Sequence, residues 1–302
     1  MKRVLAFILI FCLCLSFTGC DAWDYAKATK YYKDGQYAQA QQLYEGLGDY
    51  ADSTAMAYIS WQKADYEAAQ KHWDAEEYRQ AMELYYGLQM YMDSPAKAIA
   101  SQYALASQLL GKGEYQESIQ LFEDLGAYSD SADLARQGIS LWLRESLDQK
   151  DGVTLNLDDS GKQTLSLAPT GGETVHLIYA RESMLLGVPN TCSFTLIINP
   201  ETRETQYEAS YLSASSSTIL EESSGTVDPA LFISGQGLHT ESFTQTVTDP
   251  DGNVTTSEET SQAIVVQSLF PEAVGIISEN LAELLAQTGT DLTPEDLGFS
   301  LN

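Results

Sequence analysis

A pattern that recurs three times between residues 22 and 149 constrains the fold more than any other feature of this sequence. Its three copies are Gly35-Gln36-Tyr37, Ala40, Tyr44 and Leu47; Glu76-Glu77-Tyr78, Ala81, Tyr85 and Leu88; and Gly113-Glu114-Tyr115, Ser118, Phe122 and Leu125. Recurrence at a regular spacing is typical of stacked repeats, in which each unit buries its apolar face against its neighbours.

Each copy ends in the sequence Tyr-x-Asp-Ser, at residues 50–53, 91–94 and 128–131. Asp and Ser are favoured where a helix begins, because their side chains can accept hydrogen bonds from the first backbone N–H groups. We therefore predict helix caps at these positions, not acid catalysts. Apolar residues fall at helical spacing between the caps, with Gly or Glu in the middle of each unit, so each unit is predicted to be a pair of antiparallel helices.

The motif Gly-x-Tyr-x-x-Ala-x-x-x-Tyr/Phe-x-x-Leu resembles the tetratricopeptide repeat family over about residues 22–149, although Asp-Ser stands where that family has a terminal Pro. The resemblance implies an αα-hairpin solenoid whose first helices line a concave surface that binds partner segments. It assigns this partner-binding role to two rows of residues: Tyr25, Tyr66 and Tyr103, and Tyr32, Trp73 and Leu110. The alternative is that both rows pack neighbouring helices together, which is favoured because three units barely form a groove. Tyr37 and His72 are interpreted as packing residues.

The N-terminus has the order of a secretory signal: Lys2 and Arg3, an apolar run over residues 4–17, then Thr18, Gly19 and Cys20. The apolar run is too short to span a bilayer comfortably. The small residue before Cys20 resembles the lipobox of bacterial lipoproteins, with Phe17 where that family usually has Leu. This resemblance implies a signal peptide over residues 1–19, acyl chains on Cys20, and a location at the outer face of the cytoplasmic membrane. The alternative is an ordinary cleaved signal with Cys20 unmodified.

The formal net charge of -27 is unevenly distributed along the chain. Residues 151–302 contain 22 acidic side chains but only Lys162, Arg181 and Arg203 as basic ones. In residues 151–302, this imbalance disfavours binding of nucleic acid, or of anionic lipid headgroups, through a basic patch. Cys192 is the only thiol expected to remain in the lipidated chain, and it is interpreted as a small buried hydrophobe.

The second half of the chain alternates Thr, Ser, Val and Ile with polar residues, which indicates β-strands. Loops rich in Asp, Asn, Pro and Gly predict three hairpins, with strands at 153–158 and 163–168, 191–199 and 203–212, and 239–248 and 253–260. Helical periodicity over residues 261–287 predicts two helical pieces separated at Pro271. The predicted fold is α+β, with helical repeats over 20–149 and an antiparallel β-rich domain with a C-terminal helix over 150–302.

Motifs that would identify a reaction are scarce. His176 and His239 are isolated, and neither a zinc motif nor a phosphate-binding glycine loop is present. The loop 249–253 has its Gly at the fourth position, whereas a calcium-binding EF-hand needs Gly at about the sixth. We therefore predict no cofactor, no metal and a non-enzymatic protein or peptide-binding scaffold. The alternatives are a glycan or peptidoglycan hydrolase of the cell envelope, and a protein that binds a small ligand between sheet and helix.

Overall fold

The computed structural model describes residues 21–185, 188–213, 219–232, 238–248, 254–258 and 264–300. The predicted signal peptide and Cys20 lie outside the described residues. The chain divides into two compact units, residues 1–106 and 107–302. Its fold is α+β, as predicted, with a stack of helices followed by an antiparallel sheet and a C-terminal helix.

The helical part consists of successive antiparallel helices, which confirms the predicted helix pairs. The first helix, α1, covers residues 21–33. It is followed by α2 (Tyr37–Gly46), α3 (Ser53–Asp74), α4 (Tyr78–Gly87), α5 (Ser94–Lys112), α6 (Tyr115–Leu125) and α7 (Ser131–Asp148). Helix α2 packs on α3, α3 on α4, and α6 on α7.

The repeat is visible in which residues are buried. Equivalent positions are buried in all three copies, and most of them carry small side chains that let neighbouring helices approach closely. These sets are Ala28, Ala69 and Ala106; Ala40, Ala81 and Ser118; Ala57, Ala98 and Ala135; Ser60, Ser101 and Gly138; and the aromatic set Tyr44, Tyr85 and Phe122. The sequence pattern therefore corresponds to a packing pattern of the same period.

The turns of the repeats are equivalent as well. Each copy has three residues in the left-handed backbone region, with φ between 50° and 77°. These are Gly35, Glu76 and Gly113 between paired helices, then Gly48, Gln89 and Gly126, and finally Ala51, Met92 and Ser129 in the Tyr-x-Asp-Ser segments. Glycine occupies some of these positions because it adopts positive φ without steric cost.

The predicted helix starts are confirmed, but the predicted capping by aspartate is wrong for α3 and α7. Helices α3 and α7 begin at Ser53 and Ser131, yet the side chains of the preceding Asp52 and Asp130 make no capping hydrogen bond. Their backbone is near φ -108° and -105° with ψ 22°, not in the extended conformation usual for a capping residue. The carboxylates of Asp52 and Asp130 are therefore not part of the helix caps.

Among the described residues of the second unit, eight strands form one antiparallel sheet in which each strand pairs with the next in sequence. Its strands are β1 (Val153–Asn156), β2 (Gln163–Pro169), β3 (Val175–Leu185), β4 (Val188–Ile198), β5 (Thr205–Ser213), β6 (Ile219–Val227), β7 (Leu238–Thr248) and β8 (Val254–Glu258). The three predicted hairpins correspond to β1–β2, β4–β5 and β7–β8. The unpredicted strands β3 and β6 join these hairpins into one sheet.

One face of the sheet is buried against helices. A short helix, α8 (Pro229–Phe232), follows β6, and the long helix α9 (Ile264–Thr288) precedes a 3₁₀ turn at Pro294–Leu297. Alternate strand residues such as Leu177 and Phe194 share one core with α9 and with Leu143 of α7. Helices α6 and α7 thus belong to the same compact unit as the sheet.

The predicted break at Pro271 is wrong, because α9 continues through it as one helix. A proline inside a helix costs about 3 kcal/mol through its missing N–H and its ring. Burial of Ala273, Val274 and Ile277 immediately after it offsets this cost. Within the described residues, no helix combines the length and the apolarity needed to cross a membrane.

Candidate functional site

The first predicted row, Tyr25 and Tyr66, is built into the repeats through both ring and hydroxyl. The hydroxyl of Tyr25 donates a hydrogen bond to Asp52 at 2.5 Å, and that of Tyr66 donates to Asp93 at 2.6 Å. Their rings lie 5.6–5.9 Å, centroid to centroid, from those of Tyr44 and Tyr50, and of Tyr85 and Tyr91, respectively. Each tyrosine thus ties its helix to the segment before the next long helix.

The Tyr–Asp pairs also change the acidity of their members. The hydrogen bond to the Asp52 carboxylate is the main cause that raises the pKa of Tyr25 to about 12, because ionised tyrosine could no longer donate it. In the second copy, the hydrogen bond from Tyr66 lowers the pKa of Asp93. The third residue of this row, Tyr103, is half-buried in α5.

The second predicted row is also half-buried beside its own helices. The Tyr32 ring makes an edge contact with Tyr37 at 5.4 Å, and Trp73 makes the equivalent contact with Tyr78 at 5.2 Å. Leu110, the last residue of this row, packs beside Gly138 of α7: its Cδ1 would be 3.5 Å from a Cβ added at Gly138. The structure therefore gives both rows packing contacts, and a partner-binding role for them stays a prediction.

An open cleft of about 430 Å³ lies in the first unit, between the start of α2, helix α3 and the start of α4. It adjoins the second row through Tyr37, which forms part of its wall. The lining residues are Gly35, Gln36, Tyr37, Ala38, Gln39, Ala64, Glu67, Ala68, Lys71, His72 and Glu77. Tyr37 and His72, interpreted from sequence as packing residues, are thus also surface residues of a cleft.

The cleft presents hydrogen-bonding groups of both kinds. Nδ1 of His72 lies 2.6 Å from Oε2 of Glu77, so this pair is already engaged. Lys71 and Glu67 are exposed on α3, and Gln39 is exposed on α2. An ammonium group, a carboxylate and an amide in one cleft can bind a polar segment that offers donors as well as acceptors.

A polar cluster in the second unit joins α9 to the sheet. The Tyr179 hydroxyl donates to Glu272 at 2.7 Å and accepts from Nε2 of Gln163 at 2.8 Å, while Arg181 forms an ion pair with the same carboxylate. Burial, followed by the hydrogen bond to Glu272, raises the pKa of Tyr179 to about 12. These contacts position α9 over β2 and β3.

The other residues with a possible chemical role lie apart from one another. Cys192 is fully buried in β4, as expected, and His176 is half-buried on β3. The side chain of His239 and the loop 249–253 lie outside what the structure describes. In the described ranges, no group of three or more His, Cys, Asp or Glu side chains is placed to hold a metal ion.

A smaller cleft of about 270 Å³ in the second unit is lined by Asp133, Arg136, Glu201, Thr202 and Arg203. Arg136 forms an ion pair with Asp133 there. Two arginines beside two carboxylates largely balance one another's charge. The hydrolase and small-ligand alternatives stay predictions.

Comparison with known proteins adds no assignment. No protein-family model matches the chain, and no curated protein or solved structure is significantly similar to it.

Proposed function

We propose that this chain is a lipid-anchored extracytoplasmic protein whose helical repeats bind a protein or peptide segment without catalysing a reaction. The order of residues 2–20 supports export and acylation at Cys20. Two or more acyl chains hold a protein stably at a membrane, whereas one chain binds only marginally. The repeat stack is the part of the chain suited to binding, because repeat arrays expose extended surfaces.

The observation that carries the binding proposal is the open cleft beside α3. In the first row, the hydroxyls of Tyr25 and Tyr66 donate to Asp52 and Asp93. In the second row, the rings of Tyr32 and Trp73 contact neighbouring aromatic side chains. The cleft instead exposes Lys71 and Glu67, which extend from a helix fixed by the repeat core. Polar side chains on a rigid scaffold can recognise an extended segment at a low entropic cost.

The membrane anchor is tested by changing Cys20→Ala. We expect acyl labelling to be lost and the protein to leave the membrane fraction. Cys192→Ala is the matched control, since this thiol is buried in β4 and its removal should leave labelling unchanged. Unaltered electrophoretic mobility and membrane partitioning of the Cys20→Ala protein would contradict the anchor.

The binding cleft is tested by charge reversal at Lys71. Partners are cross-linked to the protein in native membranes, identified by mass spectrometry and quantified for each variant. We expect Lys71→Glu to weaken recovery of a specific partner by about tenfold, equivalent to about 1.4 kcal/mol. Lys112→Glu, a reversal at an exposed lysine outside the cleft, should retain it. Equal recovery with both variants, each with an unchanged circular dichroism spectrum, would refute the cleft as the binding site.

A further inference from the structure

The outward face of α1 combines an exposed tryptophan with lysines. Trp23 is 74% exposed, although large aromatic side chains are usually buried. Lys27 and Lys30 follow it at the i+4 and i+7 positions, which place them on the same face of the helix. Lys33 follows one turn later, and all three lysines are exposed. The opposite face holds the fully buried Ala28.

This face lies close to the proposed site of acylation. The described part of α1 begins at residue 21, directly after Cys20. Trp23 is two residues into this segment, which corresponds to about 3 Å of helical rise. Amphipathic helices insert about 5–10 Å into the headgroup and acyl boundary. Acyl chains on Cys20 would therefore bring the Trp23 ring to the depth of the headgroups.

The charge of this face is opposite to that of the whole chain. The chain has 16 Lys and Arg against 43 Asp and Glu, yet three lysines occur within seven residues here. Asp34 is the acidic residue at the far end of the face, while Asp21 and Asp24 are half-buried. Lysine is attracted to anionic lipid, and tryptophan is enriched at membrane–water interfaces. A merely solvated lysine face would give no reason for the exposed Trp23.

We infer that the α1 face formed by Trp23, Lys27, Lys30 and Lys33 lies on the surface of an anionic lipid bilayer. The inference rests on the proposed anchoring at Cys20 and adds a second, non-covalent membrane contact. The indole enters the headgroup region, and the lysines bind lipid phosphates. Helix α1 then has a defined orientation on the membrane, because it is held both by the acyl chains and by this face.

The test uses the chain from residue 21 onward, which retains every described residue. An oligohistidine tag replaces Cys20 and tethers the protein to vesicles that contain a nickel-chelating lipid. The vesicles are phosphatidylcholine with brominated acyl chains, alone or mixed in equal parts with phosphatidylglycerol. Brominated lipid quenches indole fluorescence only at short range. The fluorescence of Trp23 is obtained as the difference in emission between the wild-type protein and Trp23→Phe, and we call this difference the Trp23 contribution.

We expect this contribution to be quenched on the vesicles containing phosphatidylglycerol and to recover in high salt. Changing Lys27, Lys30 and Lys33 together to Gln should reduce the quenching, because each lysine is expected to strengthen surface attraction by about fivefold. Trp61→Phe is the matched control. It removes a half-buried tryptophan of α3 and should leave the quenched contribution in place.

Identical quenching of the wild-type and Trp23→Phe proteins would overturn the inference. Equal quenching on neutral and anionic vesicles would contradict the assignment to an anionic surface. A dimer in sedimentation that requires Trp23 would assign the face to a second copy of the chain, which also overturns the inference. Because the tag replaces the acyl chains, failure of this test is distinguishable from a failure of Cys20 labelling in cells.

Discussion

The left-handed residue at the end of each short helix allows the repeat geometry to be tested by exchange. Gly48 and Gly126 have φ of 54° and 56°, and the equivalent residue of the second copy is Gln89, with φ of 52°. A residue with a Cβ is strained in this region, whereas glycine is not. The second copy therefore carries a strain that the first and third lack.

The strain can be isolated from packing because a Cβ added at Gly48 has no neighbour within 4 Å. A left-handed residue other than glycine costs about 1–2 kcal/mol, and the extra freedom of glycine in the unfolded chain returns about 0.4–1 kcal/mol. We therefore expect Gln89→Gly to raise the free energy of unfolding by about 0.5–1 kcal/mol. The reciprocal Gly48→Gln should lower it by a similar amount.

Urea unfolding followed by circular dichroism measures both changes, provided that the denaturant dependence m stays constant. Gly87→Ala is the control, because this glycine ends α4 without a positive φ and has open space around it. Alanine there should stabilise the protein through helix propensity. If Gln89→Gly leaves stability unchanged or lowers it, the assignment of strain to this turn is wrong.

Three further changes test the packing and the hydrogen bonds. The buried Ser60 hydroxyl has no hydrogen-bond partner within the described part of the chain, so Ser60→Ala should raise the free energy of unfolding by about 1 kcal/mol in chemical denaturation. Ser101→Ala should raise it less, because the Ser101 hydroxyl donates to a backbone carbonyl at 2.8 Å. A Cβ added at Gly138 would lie only 2.9 Å from a side-chain carbon of α6, so Gly138→Ala should lower the thermal midpoint by an amount equivalent to about 1–2 kcal/mol. Gly111→Ala is the control and should not lower the midpoint, because a Cβ there has no neighbour within 4 Å. Folding raises the pKa of Tyr25 from 10.0 to about 12, so the Tyr25 hydroxyl stabilises the fold fully below pH 10.0 and loses this effect as the pH rises through 12. In Tyr25→Phe, the free energy of unfolding should therefore lack this part of its decrease at alkaline pH.

The helical part of the fold was predictable because its information is local and repeated. Strand β3 was missed because no hairpin loop of Asp, Asn and Pro introduces it, and β6 because Glu221-Glu222-Ser223-Ser224-Gly225 has low strand propensity. Both strands form by pairing with neighbours on two sides, which is a tertiary effect. The continuity of α9 through Pro271 likewise depends on the core beneath it.

The candidate site was less predictable than the fold. Whether Tyr37 and His72 line a cleft depends on how α2, α3 and the start of α4 pack together, and apolar periodicity does not specify this. One signal was present, however. A Tyr precedes the Asp of the next Tyr-x-Asp-Ser segment by 27 residues in both Tyr25–Asp52 and Tyr66–Asp93. A spacing conserved between copies indicates a contact that is repeated with them.

Helices α6 and α7 belong to the repeats by sequence but to the sheet by packing. By sequence, α6 and α7 are the third copy of the repeat, but their apolar residues share a core with the sheet and α9. Gln116 of α6 donates a hydrogen bond to Asp291 at 2.6 Å, and the Lys150 ammonium donates to the Gln287 carbonyl at the same distance. Terminal repeats of a solenoid require a cap, and the sheet covers this pair.

This sharing predicts where the chain can be cut. Leu143 and Leu147 of α7 are fully buried, and each contributes about 1.5–3 kcal/mol through burial. A fragment of residues 150–302 loses both, or about 3–6 kcal/mol, which is a large part of the 5–15 kcal/mol typical of a whole domain. We expect the fragment 107–302 to unfold cooperatively in urea and the fragment 150–302 to unfold at much lower urea or to aggregate. Equal urea midpoints for the two fragments would contradict this reasoning, because they would show that α6 and α7 do not stabilise the sheet.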